Sequence, residues 1–189
     1  MIPSGDSIRV VHPLFQTEGG GSIPTSPLQL VMNWMPMLYA LQLNSAWHSS
    51  LPEFKYPPEK CMAIGAQFSG RYFAIAIWSQ PSARGLNNKG MYELRRLAIS
   101  DDAPKNTASR MLRVMRYIVA KRRPDVAILI SYQDADVHTG TIYKAAGWRP
   151  VNSSVVSAKG WNTRSPNSMQ SIANKVRWEY RLDTTRVED

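Results

Sequence analysis

The sequence predicts an α+β domain around one mixed, mostly antiparallel sheet, and three observations carry that prediction. The β-rich runs CMAIGAQF and YFAIAIWS flank Ser69-Gly70-Arg71, the pattern of an antiparallel hairpin. YELRRLAIS, NTASRMLRVMRYIVAKRR and VAILISY then read as strand, helix and strand. WRPVNSSVV and KVRWEYRLD return as strands after a short helix, so the layout is one sheet with flanking helices rather than a regular βα alternation.

Taken in order, residues 1–22 are Gly- and Pro-rich and predict a flexible segment with a strand-like piece at SIRVV. Ser26-Pro27 has the form of an N-cap with Pro at the first helical position, and Leu28, Val31, Met32, Met35, Leu38 and Tyr39 follow helical spacing. Pro36 should kink or divide that helix. LNSAWHSSLPEFKYPPEK is a Pro-rich loop carrying His48. In the strongest helix, Asn106 or Thr107 can cap the start, Met111, Met115, Ile118 and Val119 form the inner stripe, and Pro124 follows the end. Thr139 can cap the short helix GTIYKAA, which Gly147 stops. The 189 residues suit one domain, residues 1–189.

The net charge of +9 is uneven: residues 1–94 hold 6 basic against 5 acidic side chains, residues 95–189 hold 17 against 9. A basic half of this kind favours a polyanion, and DNA is the leading candidate because clustered Lys and Arg release its counterions. Cys61 is the single cysteine, which excludes an internal disulfide framework or a multi-thiolate metal site and suits a reducing cytoplasm. MIPSGDSIRV has no secretory pattern, and LQLVMNWMPMLYALQL is too interrupted to span a bilayer, so no membrane role is expected.

The fragments AWHSSLP, YELRRLAI, APKNTASRML, ISYQDADVHTGTIYKAAGW and KVRWEYRL, in this order, resemble the Mom family of phage DNA-modification proteins, and the element order resembles the GNAT acyltransferase fold. The likeness runs from about Ile23 to Leu182. It implies a central pair of parallel strands that splay apart. It also implies transfer of a carbamoylmethyl group from an activated donor, acyl-CoA-like or other, to the exocyclic amine of adenine in double-stranded DNA. That modification blinds restriction enzymes, in the cytoplasm of a phage-infected host. Iron is an implied cofactor, and the oligomeric state is left open, a homodimer included. Two other readings stand beside it: an acetyl-CoA-dependent N-acetyltransferase acting on a small amine or protein, and a DNA-binding module without catalysis.

Ligands of open sheets collect beyond the carboxyl ends of parallel strands, where Tyr132 and Asp134 lie. Amine modification needs a base for the amine and an acid for the leaving group. Tyr143 matches the GNAT position of that acid; its plain alternative is a core tyrosine. Asp134 is a base, a metal ligand or a turn aspartate, while Asp136 and His138 suit a solvated loop. His48 matches a family HYS-type motif, with Ser49 where a Tyr is common. His48, Asp134 and Tyr143 form the candidate metal set, a nitrogen and oxygen set that suits iron.

Alternation places Leu94, Arg96 and Ala98 on one face, so Arg96 contacts an anionic group or pairs with Glu93 or Asp134. Lys105, Asn106, Thr107 and Ser109 sit where GNAT enzymes hold a pyrophosphate, but the glycines of that pattern are missing. Helix amides can bind an anion there instead. Ser109 supplies a hydroxyl to the reacting site or is a simple first-turn residue. For DNA, Arg110, Arg113 and Arg116 either touch phosphates or form a solvated helix face. Lys159, Trp161, Asn162, Arg164, Asn167 and Gln170 form a polar and aromatic loop suited to backbone contact or to filling an emptied base stack.

Overall fold

The computed structural model describes residues 23–47, 60–81, 83–86, 89–154 and 175–182. The strand expected at SIRVV and the flexibility expected of residues 1–22 lie outside them. Ser26 does cap a turn: its hydroxyl accepts the Leu28 N–H at 3.2 Å, and Gln29 Oε1 accepts the Ser26 N–H at 3.0 Å. The turn is a 3-10 helix of three residues, Pro27–Gln29.

The helix expected to run on from Leu28 is absent. Strand β1 (Val31–Trp34) takes its place, and helix α1 (Met37–Trp47) starts only after Pro36. Proline disfavours helical backbone at the residue before it. The extended stretch also finds a sheet edge, pairing from Val31 opposite Gln67 to Trp34 opposite Ile64 on β2 (Cys61–Phe68). A partner some thirty residues away outweighs the local period.

Strands β2 and β3 (Arg71–Ser79) form the expected hairpin, turning through Ser69 at φ 49° and Gly70 at φ 81°. Two consecutive left-handed residues match the right-handed twist of the strands they join. Strand β4 (Met91–Ile99), helix α2 (Thr107–Arg122) and strand β5 (Ile128–Asp134) follow as strand, helix and parallel strand. Helix α3 (Thr141–Ala145) leads to β6 (Arg149–Ser154) and β7 (Lys175–Arg181). The seven strands lie in the order β1-β2-β3-β4-β5-β7-β6, antiparallel except for β4 and β5.

The parallel ladder pairs Met91 with Ile128 through Leu94 with Ser131 and ends there. Yet β4 continues to Ile99 along β3, and β5 continues to Asp134 along β7. The two strands therefore part beyond Leu94 and Ser131, leaving a fork in the middle of the sheet.

Two layers cover the sheet. On one face Met35 and the α1 residues Ala40, Leu41 and Trp47 pack over Ala63, Ile75, Ile77 and Ala98. On the other, Met111, Leu112, Met115, Ile118 and Val119 of α2 meet Phe73, Trp78, Leu129, Tyr143, Trp148 and Trp178. Burying each such side chain stabilises the fold by about 1.5–3 kcal/mol. Trp78 is fully buried, its Nε1–H directed at Met115 Sδ at 3.3 Å and its ring stacked on Tyr92.

A bulge changes the reading of β4. Ile77 opposes Arg96 whereas Trp78 opposes Leu94, so Arg95 is an extra residue. Leu94 accordingly packs with Trp78 and α2, while Ala98 packs with α1. Arg96 shares the face of Ala98 but not that of Leu94. The expected alternation fails because the extra residue shifts the pleat.

Candidate active site at the sheet fork

Tyr143 sits on α3, whose N-cap is Gly140 at φ 73° rather than Thr139; the Thr139 hydroxyl pairs instead with that of Thr141 at 2.8 Å. The phenol oxygen of Tyr143 lies 2.9 Å from Ser131 Oγ. Ser131 is the last residue of the parallel ladder, so the hydroxyl is held where β4 and β5 part. The ring itself is buried, stacked on Trp178 and met edge-on by Trp148. Burial pushes the Tyr143 phenol above its usual pKa, and the hydrogen bond to Ser131 opposes that rise.

The surroundings of Tyr143 come from three distant pieces of chain. Trp178 Nε1–H donates to Gln133 Oε1 at 2.6 Å, and Gln133 Nε2–H donates to the His138 carbonyl. Gly140 fits beneath them because a Cβ there would collide with the Trp178 ring and Gln133 Oε1. Ser131, Gln133, Gly140, Trp148 and Trp178 are the site residues that sequence reasoning missed. A polar residue every second position in β5, Ser131 and Gln133, was the available signal.

Asp134 lies three residues from Ser131 on a regularly paired strand, so its side chain faces the opposite side of the sheet from Tyr143. Its Oδ1 accepts the Asp136 N–H at 3.0 Å, the turn-forming role anticipated as its plain alternative. Asp136 and His138 are exposed. His48 lies outside the described residues. Among the described residues no group of three or more His, Cys, Asp and Glu is placed to hold a metal, and Asp134 and Tyr143 do not converge. The metal set inferred for iron does not fit this geometry.

Arg96 occupies β4 two residues beyond the last parallel pair, in the parted section of the fork. Its Nη1–H donates to the Arg95 carbonyl at 2.9 Å, and burial lowers its pKa, Arg95 adding to that and Glu93 opposing it. Arg95 makes an ion pair with Glu93 at 3.4 Å.

A cleft of about 290 Å³ opens between the end of β4, the N-terminus of α2 and α3, lined by Ile99, Lys105, Asn106, Thr107, Ser109 and Ile142 among others. All four residues expected at an anion subsite line it. Asn106 is the N-cap at φ 68° and makes no side-chain cap hydrogen bond, leaving first-turn amides uncapped from that side. Thr107 and Ser109 donate their hydroxyls back to the Pro104 and Asn106 carbonyls, at 2.7 and 3.0 Å.

On α2, Arg113 is exposed, whereas Arg110 and Arg116 are half-buried. Arg116 does not simply project into solvent: it lies over the rings of Tyr117 and Tyr180 at 4.7 and 4.9 Å and donates to both hydroxyls. Lys159, Trp161, Asn162, Arg164, Asn167 and Gln170 lie outside the described residues.

Residues 33–186 match the model of the Mom protein family. The chain belongs to the Mom family. No curated protein matches it. Among solved structures, the fold of this Mom-family chain is similar to the ribosomal-protein-S18-alanine N-acetyltransferase from Escherichia coli, with TM-score 0.54 and 12% identity over 82% of this chain and 94% of that one. A Bacillus subtilis acetyltransferase in complex with CoA gives TM-score 0.53 and 13% identity, covering 82% and 99%. The GNAT domain of S. lividans PAT gives 0.52 and 12%, covering 81% and 90%. At these identities the likeness is one of fold: the Mom-family chain has a GNAT-like fold, a mixed seven-stranded sheet with one parallel pair. None of its described helices is long and apolar enough to cross a membrane.

Proposed function

We propose that this chain is a GNAT-like transferase that adds a carbamoylmethyl-type group to the exocyclic amine of adenine in double-stranded DNA and thereby protects it from restriction. The family match over residues 33–186 is the observation that carries this reading. The fork supports it, because a phenol held where two strands part can give its proton to a leaving group bound there.

In this reading the donor lies along the cleft at the start of α2, its anionic part against Lys105 and the positive end of the helix dipole. Arg96 steadies a negative group within the fork. Tyr143 gives its proton to the leaving group. Asp134, on the far face at the tip of β5, takes the proton of the amine from the other side. His48 closes the site. Adenine's amine is paired within a duplex, so the base must be extruded, at a cost of a few kcal/mol.

DNA approaches the basic second half. Helix α2 carries Arg110, Arg113, Arg116, Lys121 and Arg122 and no acidic residue. Lys175 pairs with both Asp134 and Ser154, and Lys159, Trp161 and Arg164, between Ser154 and Lys175 in sequence, are read as further DNA contacts.

The test is coexpression with a plasmid, digestion of its DNA to nucleosides and mass spectrometry. A heavier deoxyadenosine derivative is expected. Unmodified deoxyadenosine beside folded, soluble protein overturns the reading. Similarity to a CoA-bound fold favours a second reading, acetyl transfer to a small amine or protein; acetylated products in place of modified DNA would select it. Filling the cleft with Ala145→Trp should abolish either activity without unfolding the chain.

A further inference from the structure

We propose that Ser131 is a positioning residue for Tyr143: its hydroxyl fixes the phenol oxygen at the fork and serves as the hydrogen-bond donor that meets this oxygen when its proton moves to the leaving group. The inference rests on the transferase reading for its catalytic consequence, but its geometric part stands alone.

Four observations support it. Ser131 and Tyr143 are both buried, at 2% and 7% exposure, so water does not readily substitute for either partner. Their oxygens are 2.9 Å apart. The Tyr143 ring cannot swing freely, being stacked on Trp178 with centroids 5.2 Å apart and crossed by Trp148 at 5.8 Å. Ser131 Oγ also lies 3.4 Å from the Leu94 carbonyl, the residue opposite it in the last rung of the parallel ladder.

A serine hydroxyl has one hydrogen and two acceptor sites. With the phenol protonated, either Ser131 donates to the Leu94 carbonyl and receives the Tyr143 proton in a hydrogen bond, or Ser131 donates to the phenol oxygen and leaves the Tyr143 proton free to be aimed. As negative charge grows on the phenol oxygen, the serine hydrogen has a better acceptor 2.9 Å away and turns to it. An isolated phenolate in this apolar setting would be costly, so this one donor matters more than it would in water.

The step balances for a donor that carries the carbamoylmethyl CH2 on sulfur, an S-alkyl donor, since breaking the acyl carbon–sulfur bond of a thioester would leave an N-acyl adenine instead. The amine lone pair forms the new carbon–nitrogen bond while the carbon–sulfur bond breaks with its pair onto sulfur. Sulfur takes the Tyr143 proton, the amine proton passes to Asp134 or water, and solvent returns a proton to Tyr143. Ser131 exchanges no proton in the net reaction and changes only its hydrogen-bond partner.

The experiment compares Ser131→Ala and Ser131→Thr with the parent chain by DNA modification kinetics and by the 13Cζ resonance of Tyr143, assigned through its absence in Tyr143→Phe. Ser131→Ala should lower kcat on the order of a hundredfold with KM unchanged, shift the 13Cζ resonance, and leave far-UV circular dichroism intact. Ser131→Thr, which keeps the hydroxyl, should recover most of kcat. An unmoved resonance in folded Ser131→Ala, or undiminished kcat, overturns the proposal. A shifted resonance in a chain that modifies no DNA upholds the link between the two residues and refutes the adenine reading instead.

Discussion

Trp178 stacks on Tyr143 with planes 11° from parallel while its indole N–H donates to Gln133 Oε1 at 2.6 Å, joining β7, α3 and β5 through one side chain. Trp178→Phe should keep a ring against Tyr143 and leave Gln133 Oε1 short of a partner, costing about 1–3 kcal/mol. Trp178→Ala should cost about 3–5 kcal/mol because the ring volume is lost as well. Denaturant titrations read both values; unchanged stability in Trp178→Phe would refute the contribution of the hydrogen bond, and equal losses in the two variants would refute that of the ring.

Gly140 and Gly147 both hold left-handed backbone, at φ 73° and 80°, but only Gly140 is crowded. Gly147→Ala should cost the backbone penalty alone, about 1–2 kcal/mol. Gly140→Ala should cost more, since the new methyl group must displace Trp178 or Gln133. Thermal unfolding of the two variants side by side gives the comparison.

Arg113 and Arg116 separate a surface contact from a structural one. Arg113→Gln should weaken DNA binding across sequences and reduce the slope of log K against log salt by about 1, with stability unchanged. Arg116→Gln should lower stability by about 1 kcal/mol through loss of its place over Tyr117 and Tyr180. Fluorescence anisotropy at several salt concentrations and a melting curve distinguish them.

Tyr92 predicts an alkaline limit. Burial pushes its phenol up to about 12, with the Arg123 guanidinium opposing that rise. The unfolded phenol ionises near the ordinary value of about 10, so from there upward the unfolded state holds fewer protons than the folded one. This contribution is whole below about pH 10 and is lost as pH rises through about 12, at close to 1.4 kcal/mol per pH unit. Burial raises Tyr72, Tyr132 and Tyr143 too, adding loss of the same sign. Tyr92→Phe should flatten the decline of stability above pH 10, measured by urea unfolding at stepped pH.

Elements whose signal is local were legible in the sequence. The β2–β3 hairpin, β4, α2 and β5 each follow from a short period, a turn or a cap, and Tyr143 could be placed on a short helix after β5. Features set by partners far along the chain were not. β1 exists because β2 offers an edge, which overrode the helical spacing of Leu28 to Met35. The extra residue at Arg95 depends on the register with β3, so the face of Arg96 relative to Leu94 could not be read from β4 alone. Trp178 and Gln133 meet across 45 positions, and nothing near either one announces the other. Asp134 looked like a neighbour of Tyr143 by distance in sequence, but strand alternation sends it to the other face.

The most direct measurement is the mass of deoxyadenosine recovered from plasmid DNA coexpressed with the parent chain and, in parallel, with Tyr143→Phe. The parent should yield a heavier adenine nucleoside, and Tyr143→Phe, equally folded and expressed, should yield at most traces of it. Full modification by Tyr143→Phe would contradict the assignment of the buried phenol at the fork as the proton donor of the reaction.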